Sequence, residues 1–89
     1  FDVVGETTIV NRRRISDKVD ETDYRIEVRN QKRDDSVTVV VHKSLGGFWE
    51  ITTSSVDYIK KSANEVEWTL DIAADDKRVI DFTVRQSRR

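Results

Sequence analysis

The sequence predicts an all-β fold, a single antiparallel β-sandwich, on two observations. Apolar and polar residues alternate strictly in Tyr24-Arg25-Ile26-Glu27-Val28-Arg29 and again in Val66-Glu67-Trp68-Thr69-Leu70-Asp71-Ile72. Successive side chains on a strand point to opposite faces, so each segment has one face for a core and one for water. Segments of this kind also recur at short intervals, joined by hairpin-length polar turns, which is the spacing of a sandwich. An immunoglobulin-like Greek key is the expected connectivity, with a small closed barrel as the alternative.

Each element has its own justification. Residues 1–10 read as extended, with Val3, Thr7, Ile9 and Val10 as strand formers and Gly5 as a bulge or bend. Residues 12–15 continue this strand as an exposed edge, and the charged residues 16–21 connect it to a second strand over 24–30. Residues 30–36 form a polar turn. Val37, Val39 and Val41 then share one face of a third strand, with Val40 on the other. Leu45-Gly46-Gly47-Phe48 turns the chain into a short strand over 48–53. Residues 54–63 read as the longest loop, anchored by Tyr58 and Ile59; a helix over 54–65 is disfavoured by its serines and β-branched residues. Residues 66–72 and 79–85 pair as a terminal hairpin around Ala74-Asp75-Asp76-Lys77. The expected core is Tyr24, Ile26, Val28, Val37, Val39, Val41, Trp49, Ile51, Val66, Trp68, Leu70, Ile72, Ile80, Phe82 and Val84.

Length and composition narrow the function. The 89 residues form one domain, 1–89, which buries roughly 60–65% of its unfolded surface and has little material left to wall a deep pocket. Sixteen basic residues nearly cancel seventeen acidic ones, leaving a net charge of −1 and no general attraction to nucleic acid or anionic membrane. No apolar run approaches the ~18 residues of a membrane-spanning helix, so no membrane insertion is expected. Cysteine and proline are both absent, which removes disulfide chemistry and one common guard of strand edges. Methionine is also absent, even at position 1, as expected of a processed product or of a piece excised from a longer protein.

Several motifs keep their order across nearly the whole chain. They are Phe1-Asp2-Val3-Val4-Gly5-Glu6, Arg14-Ile15-Ser16-Asp17, Val28-Arg29-Asn30-Gln31-Lys32 and Phe48-Trp49-Glu50-Ile51, the last followed by Ser54-Ser55, Tyr58 and Lys60. Together they resemble the C-terminal portion of the bacterial domain of unknown function 4139 family. The chain departs from that pattern in lacking proline near Ser36 and Leu45. The resemblance implies an antiparallel sandwich at the end of a longer bacterial protein, often exported or associated with the cell envelope. It implies no activity and no catalytic residues.

Chemical motifs are sparse. His42 is the single histidine, so a His-pair metal site is excluded, and without a G-x-S-x-G elbow it has no serine nucleophile to serve. His42 reads instead as a strand residue facing solvent. The glycines Gly5, Gly46 and Gly47 make no phosphate loop. No catalytic residue, cofactor or metal is therefore assigned, and the chain is expected not to be an enzyme.

Three surfaces remain. Asp17, Asp20, Glu21 and Asp23 are expected at the same pole as Asp75-Asp76, a weak arrangement for Ca²⁺ set against ordinary solvated turns. Arg12, Arg13 and Arg14 are expected to merge with Arg85, Arg88 and Arg89 into one basic patch. No aromatic alternates with these arginines, so they read as a charge-guarded edge or a protein interface, with no nucleic-acid partner. Trp49 and Tyr58, if exposed together, would offer a carbohydrate platform. The expected function is that of a non-catalytic structural or interaction module, packing against the remainder of its parent polypeptide or another protein. Its contact surface is drawn from Arg12, Arg13, Arg14, Lys32, Phe48 and Trp49. The alternative is an extracellular module binding carbohydrate or Ca²⁺.

Overall fold

Seven strands stack as two antiparallel sheets in the computed structural model, which describes residues 3–87. They are β1 (Val3–Arg14), β2 (Val19–Asn30), β3 (Val37–Ser44), β4 (Phe48–Ser54), β5 (Ile59–Ser62), β6 (Glu65–Ile72) and β7 (Lys77–Ser87). The four-stranded sheet has the order β1-β2-β7-β4 and the three-stranded sheet the order β3-β6-β5. This is the expected sandwich and not a closed barrel. Relative to the constant-type immunoglobulin order, the fifth and seventh strands exchange sheets.

The alternation read from the sequence decides which residues meet between the sheets. Ile26, Val28, Ile51, Val66, Trp68, Leu70, Ile72, Ile80, Phe82 and Val84 form the buried core, while Tyr24, Val37, Val39, Val41 and Trp49 pack against its margin. Trp68 of β6 meets Phe82 of β7 with ring centroids 4.6 Å apart, and Tyr24 of β2 stacks on the same Phe82 at 5.1 Å. Two lysines finish the core at its rims. Lys43 of β3 places its ammonium 4.7 Å from the centre of the Tyr24 ring, and Lys60 of β5 does the same over Trp49 at 4.9 Å. In each, the ammonium faces the ring quadrupole from the solvent side. These contacts also fix the stacking: β6 covers β7, β3 covers β2 and β5 covers β4.

Three features depart from expectation. The loop expected over 54–63 contains strand β5, which pairs with β6 from Ile59↔Glu67 to Ser62↔Glu65. Leu45, expected in a turn, is buried, its amide donating to the Asn64 carbonyl at 2.8 Å. Strands β6 and β7, expected to pair as a terminal hairpin, lie in different sheets, β6 pairing with β3 and β5 and β7 with β2 and β4. The turn expected before β4 is present, with Gly47 at φ 70°, a conformation glycine adopts without a steric cost.

Candidate interaction surface

The sandwich is one strand short on one side. Four strands face three, and with β3 lying over β2 no strand among the described residues covers β1, whose only hydrophobic residue packed against the core is Val3. Its register with β2 (Gly5↔Val28, Thr7↔Ile26, Ile9↔Tyr24) puts Gly5, Thr7 and Ile9 on the core side of the sheet. There Ile9 is 50% exposed. The other boundary of this open flank is β3, which pairs with β6 alone and leaves Val37, Val39 and Val41 half-buried. Both β1 and β3 are edge strands, each with one row of backbone donors and acceptors outside any ladder. Val10 sits at a bulge between Ile9 and Asn11 and is exposed, as is Val4. The bulge is one device that discourages indiscriminate edge pairing; the arginines that follow are another.

Those arginines lie on the edge strand as expected, but they do not form one patch: Arg13 is on the outer face with Arg85, while Arg12 and Arg14 are on the opposite face. β1 and β7 flank β2 on either side, so Arg13 and Arg85 converge on Glu21 from opposite directions. Arg13 Nη2 donates to Glu21 Oε1 at 3.0 Å, and Arg85 Nη2 donates to Glu21 Oε2 at 2.8 Å. Arg13 also makes a forked pair with Asp23, at 2.7 and 3.0 Å. The hydroxyl of Thr83 donates to Asp23 Oδ1 at 2.6 Å. One row down, Arg25 Nε donates to Asp81 Oδ1 at 2.8 Å. The outer face of the four-stranded sheet is thus a lattice of alternating charge. Arg12 and Arg14 stand opposite Thr22 and Asp20 on the other, core-side face, where Arg14 lies 4.0 Å from Asp20. Arg88 and Arg89 lie outside the described residues, as do Phe1 and Asp2.

The lattice has a pH signature. Hydrogen bonds from Arg13 and then Thr83 hold the Asp23 carboxyl down to about 2, and those from Arg85 and Arg13 lower that of Glu21. An unfolded aspartate titrates at about 3.9, so the folded state resists protonation. The resulting stability is fully present above that value and is lost as the pH falls through it toward about 2. Asp23→Asn is therefore expected to flatten the acid limb of a urea-midpoint against pH profile. An unchanged limb in the variant would mean that other carboxylates set the acid sensitivity.

The remaining expected sites separate. Strand β2 runs the full length of its sheet, from Val19↔Ser87 to Arg29↔Lys77. The turn holding Asp17 lies at its first end and the turn holding Asp75-Asp76 at its last, where Asp76 accepts from the Asn30 amide at 2.8 Å. The two acidic segments are at opposite poles, which overturns the shared Ca²⁺ arrangement; Glu21 and Asp23 are in addition committed to arginines. Lys32 lies at the Asp75 pole, its carbonyl accepting from the Asp75 amide at 2.7 Å, far from the arginines of β1. Trp49 is half-buried, its Nε1 donating to the Ala63 carbonyl at 2.7 Å and its face occupied by Lys60. Tyr58 lines a different hollow with Thr52, Ser54 and Asp57, so the two aromatics make no common platform. Phe48 is 56% exposed between two shallow hollows at the β4 edge.

What sequence reading missed is the open flank itself. Ile9 and the three valines of β3 carry a normal strand pattern, and their exposure follows only from the unequal number of strands in the two sheets. No helix among the described residues is long and apolar enough to cross a membrane. No known family model, curated protein or solved structure matches the chain.

Proposed function

We propose that the chain is a non-catalytic interaction module that accepts an extended segment of the parent polypeptide or of another protein along its open flank. The observation that supports this is the uncovered core-side face of β1 next to the free edge of β3. A strand added to β3 would extend the three-stranded sheet and lie over Thr7 and Ile9. Backbone hydrogen bonds would supply affinity, and alternate side chains entering the flank would supply selectivity, as in other strand-addition complexes. Arg13 and Arg85 are paired with Glu21 and Asp23, which weakens their pull on a polyanion, in keeping with a protein partner. The family resemblance adds a setting: the C-terminal end of an exported or envelope-associated bacterial protein.

The test is an amide correlation spectrum of the domain, recorded before and after the remainder of the parent chain is added in trans. Peaks from β1 and β3 are expected to move and to gain protection from solvent exchange. Ile9→Asp should weaken this docking at least tenfold, about 1.4 kcal/mol, with little change in thermal midpoint because the side chain is already half in water. Shifts confined to Phe48 and the β4 edge, or no shifts at all, would overturn the reading.

A further inference from the structure

We propose that His42, Glu65 and Glu67 form a three-ligand site for a divalent transition-metal ion, Zn²⁺ being the type case, on the outer face of the three-stranded sheet. The three residues are distant in sequence and are brought together by strand register. His42 of β3 stands directly opposite Glu67 of β6, and Glu65 lies two residues along the same face, opposite Ser44. The His42 Nδ1 is 3.2 Å from Glu67 Oε2 and 3.5 Å from Glu65 Oε1. All three donor atoms lie within 4.8 Å of one another.

These separations suit a metal. Zinc bonds of about 2.0–2.2 Å to nitrogen and oxygen place neighbouring ligands of a tetrahedron about 3.3–3.5 Å apart, so the two histidine-to-carboxylate edges need almost no adjustment. The ligands stand on paired strands and not on loops, which limits the reorganisation that binding demands. Glu67 also divides its oxygens: Oε2 faces the imidazole, while Oε1 lies 4.0 Å from the ammonium of Lys61 on β5. An outer partner on the far oxygen of a ligating carboxylate is the usual way such a ligand is oriented. With the imidazole neutral, two carboxylates and Lys61 leave a net charge of −1 facing a divalent ion. One nitrogen and two oxygens favour Zn²⁺, Cu²⁺ or Ni²⁺ over the all-oxygen cations Ca²⁺ and Mg²⁺. Three protein ligands leave a position for water or for a donor from a docked partner. The competing account is an imidazolium shared between two carboxylates, which shows the same distances and binds no metal.

Titration of the isotopically labelled domain with ZnCl₂ separates the two. Saturable shifts are expected at His42, Glu65 and Glu67, with Ca²⁺ unable to displace the zinc. His42→Ala should reduce zinc affinity at least tenfold while the metal-free thermal midpoint stays put, since the side chain is 56% exposed. Glu67→Gln should act in the same direction. Asp75→Asn with Asp76→Asn, at the distant acidic turn, should change nothing. Absence of saturable shifts, or a His42→Ala variant that binds zinc like the parent domain, would overturn the proposal. So would loss of binding in the Asp75/Asp76 variant, which would mark diffuse attraction to carboxylates.

Discussion

Replacing Trp68 by alanine is expected to destabilise the domain by about 3–5 kcal/mol, the range for truncating a large aromatic in a close-packed core. Trp68 is 1% exposed, and it sits on the central strand of the three-stranded sheet against Phe82 on the facing sheet. Its ring is therefore a principal contact between the two layers. The indole also has a polar tie: Nε1 donates to Ser54 Oγ at 3.2 Å, and that hydroxyl donates to the Val56 carbonyl at 2.6 Å. Alanine removes both the ring and the tie. Trp68→Phe removes only the donor and trims the ring, and should cost nearer 1–2 kcal/mol. Domains of this kind have about 5–15 kcal/mol in total, so the alanine variant should show a much lower urea midpoint. Trp49 remains in both variants as a fluorescence reporter at the margin of the core. A loss under about 1 kcal/mol for Trp68→Ala would mean that the two sheets do not pack through this residue.

That Trp68 is central was legible in the sequence, because a two-residue period is a local signal. Every residue expected in the core is either buried or packed against it. Strand β5 was not legible for an equally local reason. Ile59-Lys60-Lys61-Ser62 spans four residues, all exposed, and its inward position is filled by a lysine lying on Trp49. Nothing apolar alternates there. The omission had a long-range consequence. Each added strand reverses the pole at which the following turn emerges, so β5 moves the Asp75-Asp76 turn to the end opposite Asp17. The same limit hid the functional surfaces. Arg13, Glu21 and Arg85 meet through two successive registers, as do His42 and Glu67 through one. Register between distant strands is a property of the whole core, which no short stretch encodes.

Asn30 shows how a residue read as an ordinary turn former can hold a pole together, and Asn30→Asp is expected to be the most damaging isosteric change in the chain. Asn30 has no exposed surface. Its Nδ2 donates toward the carbonyls of Asp35 at 2.9 Å, Ile72 at 3.3 Å and Ala73 at 3.2 Å, while Oδ1 accepts from the Lys32 amide at 2.9 Å. One amide thereby ties the end of β2 to the loop before β3 and to the turn between β6 and β7. Aspartate fits the same space but presents an oxygen to three carbonyl oxygens. An uncompensated buried charge costs about 3–5 kcal/mol, and the carboxyl relieves part of that by retaining a proton, which raises its folded pKa. A raised pKa makes the variant's added loss smallest below about 3.9, the unfolded value, and larger as the pH rises through the folded one. This is the reverse of the contribution from Asp23 and Glu21, which weakens in acid. Urea midpoints measured from about pH 3 to about pH 7 should therefore show the gap between Asn30→Asp and the parent domain widening toward neutrality. A gap that is small at every pH would mean that the Asn30 amide is not the donor joining these three segments; a large gap independent of pH would assign the loss to shape and not to charge.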